Sequence, residues 1–182
     1  MTVTVSPETF RFVHFDAATI SHAVDRLARA IGLDRDVHIE IDETTPLARI
    51  HAELGDVVTL RAESGAFEDT RRPQHYSETA SAVSIGRVLV RAHDRLSGLF
   101  DDAPADEALS LAQASAWTAS CMGRLARLGV AVNEQRYRYD FRNRHGFSDA
   151  ADAAFDRLWQ ASGLTWSDID TISNHLTSSG TP

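Results

Sequence analysis

The chain has 182 residues, 43% of them hydrophobic and 24% charged, which suits one soluble globular domain that buries its own core. Its net charge of −8 repels polyanions over long range, so bulk nucleic-acid binding is disfavoured. A single cysteine, Cys121, excludes an internal disulfide and a multi-thiolate metal centre, and the absence of Lys excludes Schiff-base and lysine general-base chemistry.

All 18 basic residues are Arg, which fits a GC-rich bacterial coding bias as well as it fits bidentate anion recognition. No run approaches the ~20 apolar residues that a membrane-spanning helix needs. The start "MTVTVSPETFRF" lacks the basic and apolar regions of a secretory signal. A cytoplasmic location is the expectation.

In chain order, "FRFVHF" at 10–15 is a candidate edge strand. A helix follows from about Ala17 to Ile31, capped by Asp16, with Ile20, Val24, Leu27 and Ile31 on one stripe. "VHIEID" alternates Val37, Ile39 and Ile41 against His38 and Glu40, and "ARIHAELGDVVTLRAE" predicts a hairpin turning at Gly55-Asp56. Gly65 to Tyr76 is the one long loop. A second helix is expected from Ser77 to Ser97 and a third from near Pro104, carrying Leu111, Trp117, Cys121, Leu125 and Leu128. Tyr137, Tyr139 and Phe141 alternate with Arg136, Arg138, Asp140 and Arg142, a period of two that predicts a strand with an aromatic and a charged face. A fourth helix opens at Ser148 or Asp149 and a fifth at Thr165, which has capping-box spacing with Asp168. Gly32, Gly98, Gly129 and Gly163, each followed by an apolar residue, read as helix stops.

These elements predict an α+β fold. A small antiparallel sheet of three to four strands, mostly in the N-terminal half, packs against about five helices. Residues 1–176 form a single domain in this reading, and 177–182 a disordered tail.

No phosphate loop, G-x-G-x-x-G, G-x-S-x-G or H-E-x-x-H motif is present. His38 and His51 fall on the polar sheet face beside Glu40, Glu53 and Arg49. In a suitable register they are candidate metal ligands, and otherwise part of a solvated face. The Gly65–Tyr76 loop gathers Glu68, His75 and Tyr76, candidates for acid–base work, with Arg71 and Arg72 as candidate anion-binding residues. Arg142, Arg144 and His145, at the junction with a helix start, form a second candidate anion site, His145 doubling as a candidate catalytic group. Phe67, Phe100, Trp117, Trp159 and Trp166 serve either a core or an interface.

No cofactor is indicated. Two functions follow. One is action by binding, as a homo-oligomer or with a protein partner, away from membranes and nucleic acid. The other is a small hydrolase with an anion-binding Arg/His site, possible metal assistance included.

Overall fold

The computed structural model describes residues 1–178, with side chains as far as Asn174. Of the expected tail, residues 179–182 lie outside the described residues. The chain divides into two compact units, Met1–His93 and Asp94 onward. The α+β class is as expected, with a four-stranded sheet, a two-stranded hairpin and six α-helices among the described residues.

The first unit begins with β1 (Val3–Ser6), α1 (Ala17–Ile31) and β2 (Asp36–Asp42), then β3 (Ile50–Glu53) and β4 (Val57–Glu63). The strands lie in the order β1-β2-β4-β3. Only β3 pairs antiparallel; β1 with β2 and β2 with β4 are parallel, so the sheet is mixed, not purely antiparallel. The cause is β1. A strand that returns through a helix enters the sheet parallel to its predecessor, and the short "VTVS" lies upstream of the stretch expected to be the edge. Residues 10–15 instead form an irregular segment with one bridge, His14 to His75. The Glu43 carboxylate accepts the backbone N–H groups of Arg11 and Phe12 there, at 2.7 and 2.6 Å.

The alternation in β2 and β4 sorts the sheet into two faces. Val37, Ile39, Ile41, Val58, Leu60 and Ala62 are buried against Ile20, Val24 and Ala28 of α1 and Ile85, Val88 and Leu89 of α2 (Glu78–Leu96). Full burial of each large aliphatic side chain contributes about 1.5–3 kcal/mol. The β3–β4 hairpin forms as expected, but Glu53 pairs with Thr59, so its turn exceeds two residues. The long loop is itself structured. A 3-10 turn at Ser64–Ala66 buries Phe67, and β5 (Glu68–Asp69) pairs with β6 (Arg72–Tyr76).

The second unit is helical. The third expected helix begins later than Pro104: a 3-10 turn occupies Asp106–Ala108, and α3 (Leu111–Arg127) starts where Ser110 and Gln113 form a reciprocal capping box. The segment read as a strand is α4 (Glu134–His145), capped by Asn133. α5 (Asp149–Gln160) and α6 (Trp166–Ser178) begin at Ser148 and Thr165 as expected, the latter with Thr165 and Asp168 capping each other. All four expected stop glycines take positive φ, between 72° and 86°.

Two aromatic groups fill this unit. Trp117 stacks on Phe100 at 4.9 Å and meets Trp166 at 5.8 Å; Phe155 lies between Phe141 at 5.7 Å and Trp159 at 5.3 Å. Phe67, Phe100, Trp117 and Trp166 are buried and Trp159 half-buried, so these five serve the core. Asp94 is buried too, accepting the Trp117 indole N–H at 2.9 Å and a hydrogen bond from Arg124. At Gly123, α3 lies directly against the backbone near the end of α5. A Cβ there would run into the backbone carbonyl of Trp159. No helix among the described residues is long and apolar enough to cross a membrane.

Candidate functional site

On the polar sheet face, β4 stands between β2 and β3. His38 lies opposite Thr59 and His51 opposite Arg61. One intervening strand separates the two imidazoles by about 10 Å across the sheet, and their rows differ as well. His38 is engaged on the β1 side, 2.7 Å from Thr4 Oγ1 and 3.2 Å from Ser6 Oγ. The space between the histidines belongs to Arg61, which donates to Glu40 and, at 2.7 Å, to Glu53. Glu53 is held below its ordinary pKa chiefly by that hydrogen bond, and Arg61 is raised by the same contact. Among the described residues no three His, Cys, Asp or Glu side chains gather as a metal-holding group. An open groove of about 730 Å³ runs along this face, lined by Glu40, Asp42, Arg49, His51, Arg61 and Glu63. Its charges answer one another.

The β5–β6 hairpin disperses its candidates. Glu68 is a structural acceptor, taking the Ser64 hydroxyl at 2.7 Å on one oxygen and the Gln74 N–H at 2.9 Å on the other. His75 lies 3.1 Å from the Pro73 carbonyl through Nδ1 and packs on His14, ring centroids 4.7 Å apart. Tyr76 is half-buried; burial raises its pKa, with the Ser81 hydroxyl opposing. Arg71 and Arg72 are exposed at the hairpin tip.

In the second unit, α4 separates the candidates by face. Its inner side carries Arg138, Phe141, Arg142 and His145. Arg142 makes a two-pronged ion pair with Asp152 of α5, at 2.7 and 2.6 Å, which raises the guanidinium pKa and lowers that of the carboxyl. Arg138 lies 4.4 Å over the Phe155 ring and donates to Glu134 and Asp156. Burial depresses its pKa, and the two carboxylates more than reverse that. His145 is 6% exposed, stacks on Phe141 at 3.9 Å and meets the Phe141 carbonyl through Nδ1 at 3.1 Å. Burial pushes its pKa down against that hydrogen bond. Arg142 and His145 are thus spent on packing α4, and an exposed anion site retains only Arg144 of the three.

The outer side differs. Arg136, Tyr139, Asp140 and Asn143 fall at i, i+3, i+4 and i+7 of α4, one exposed stripe. Phe147, also exposed, lies past the Gly146 that ends the helix and packs back between Tyr139 and the Arg142 guanidinium. Tyr139 and Phe147 are 58% and 65% exposed and pack edge to face, 5.9 Å between centroids. Asp140 stands four residues from Arg136 and four from Arg144, yet among the described residues none of these three side chains makes an ion pair. Beside them lies a groove of about 370 Å³, floored by Ala114, Ser115, Thr118 and Ala119 of α3 and walled by Tyr137, Asp140, Asn143 and Arg144.

This stripe was hidden in the sequence by the apparent period of two, which assigned Tyr139 to a buried face with Tyr137 and Phe141. The signals that expose it are Asn133 followed by Glu134, a cap with an acidic first turn, and the helical spacing from Arg136 to Asn143. Searches against protein-family models, curated proteins and solved structures find no match to this chain.

Proposed function

We propose that the chain acts by binding a protein, and that the outer stripe of α4 is its contact surface. The observation that carries this reading is the Tyr139–Phe147 pair, two large aromatic side chains packed together in water on an ordered helix and its C-terminal turn. Binding hot spots are enriched in Tyr, other aromatic residues and Arg, which supply contact area from stiff side chains. Arg136, Asp140 and Arg144 flank the pair, exposed, with no ion pair to another described residue, Arg136 lying 5.9 Å over the Tyr137 ring. Burying these groups against a complementary surface removes apolar area from water and answers the charges together.

The hydrolase reading has no comparable support. Glu68, Arg142 and His145 are each committed to local structure.

The test is a photoreactive benzophenone amino acid in place of Tyr139, irradiated in the cell that makes the protein. A discrete protein adduct is expected. Complete absence of adducts, with the fold intact by circular dichroism, would overturn the reading.

A further inference from the structure

We infer that the protein bound by α4 is a second copy of this chain, its α4 lying antiparallel to the first about a two-fold axis beside Asn143. This rests on the α4 reading above and names its partner.

The argument is charge and shape complementarity within one stripe. In an antiparallel contact about a two-fold axis, residue i of one helix meets residue j of the other and j meets i. With Asn143 on the axis, Asn143 faces its own copy and Tyr139 faces Phe147. Within a residue or two of that register, Asp140 reaches Arg144 and Arg136 reaches Asp149, an exposed residue just beyond the turn. Each of these groups then meets its complement on the same surface of the second copy, Asp149 of α5 included. The two edge-to-face aromatic pairs merge into one four-ring cluster at the centre. The central amides hydrogen-bond to each other across the axis, a device that fixes register in paired helices.

The alternatives fit less well. A uniformly acidic partner answers Arg136 and Arg144 but sets a like charge against Asp140, and a basic one does the reverse. A parallel pairing sets Arg136 on Arg136 and Arg144 on Arg144. Of these pairings, the antiparallel self-pairing is the one that sets opposite signs together while joining the aromatics. One helix of 12 residues extends about 18 Å, which gives a contact at the small end of specific interfaces and a dimer of roughly micromolar affinity.

Charge reversal tests this on the full chain. Sedimentation velocity from low to several hundred micromolar should show the 20.0 kDa chain passing to twice that mass. Asp140→Arg and Arg144→Asp should each weaken dimerisation about tenfold or more by opposing like charges across the axis. The double variant D140R/R144D restores opposite charges at both contacts and should recover the wild-type constant to within a few-fold. Circular dichroism and melting curves verify that each variant folds. A wild-type chain that stays monomeric throughout, or single reversals that leave the dimer unchanged, or a double variant without rescue, would overturn the inference. The adduct at position 139 separates the two proposals. Twice the chain mass supports both, a different protein joined to an otherwise monomeric chain overturns the second copy alone, and no adduct overturns both.

Discussion

The polar face of the sheet and the outer face of α4 are both rich in charge, and they treat it oppositely. On the sheet, Arg61 reaches Glu40 and Glu53, Arg49 lies 3.8 Å from Glu63, and His38 is held by two hydroxyls. On α4, Asp140 stands about one helical turn from both Arg136 and Arg144 without an ion pair among the described residues, beside aromatic rings left in water. The inner residues of the same helix show that the unit could have neutralised such charges: Arg138 and Arg142 are both fully engaged by carboxylates. Density of charged residues alone therefore does not distinguish the two faces; unanswered charge beside exposed apolar surface does.

The comparison depends on α4 being held rigidly from inside, so the largest effects come from loosening that side. Phe141→Ala removes a fully buried ring between His145 and Phe155. It should cost about 3–5 kcal/mol, read from urea unfolding. Gly123→Ala forces α3 away from the Trp159 carbonyl and should cost about 1–3 kcal/mol, unless the helices separate cleanly. Acid acts on the same side. The folded pKa of His145 lies below its ordinary 6.5, so the unfolded chain takes up the proton first as pH falls. Its contribution to stability is complete above about 6.5 and is lost on descending toward the folded value. Melts between pH 8 and pH 5 should show a steeper loss for wild type than for His145→Gln.

Outward changes sharpen the contrast. Tyr139→Ala and Phe147→Ala should each leave monomer stability within about 0.5 kcal/mol of wild type, while the double variant should stay monomeric in sedimentation velocity at concentrations where wild type dimerises. A large loss of monomer stability instead would return these rings to a structural role. Smallest of all, Arg61→Ala should leave melting temperature and oligomeric state unchanged, because an exposed network in water contributes little once its charges are solvated.

What the sequence revealed depended on range. Helix caps and stops act over three or four residues, so Asp16, Ser148, Thr165 and the four stop glycines were legible without any knowledge of packing. The alternation of Val37, Ile39 and Ile41 was legible because β2 is buried on one face along its whole length. The parallel pairing was not, since β1 and β2 meet across a helix. α4 was misread for a different reason. Only Phe141 and His145 of its residues are buried, so it lacks the apolar stripe that announces a helix. Over so few positions, Tyr137 and Phe141 satisfy both a period of two and a spacing of four. The candidate site inherited that ambiguity. Of the candidates Arg142, Arg144 and His145, Arg142 and His145 turn inward and Arg144 stays exposed, while Tyr139 turns outward.

Gly123 has a consequence beyond stability. Because the Trp159 carbonyl occupies the space where any other side chain would begin, the position tolerates one amino acid of twenty while α3 and α5 keep their approach. Exposed positions such as those on the outer face of α4 carry no such steric constraint. A glycine at this point of α3, with the end of α5 laid across it, is the fingerprint by which a distant relative of the helical unit would be known.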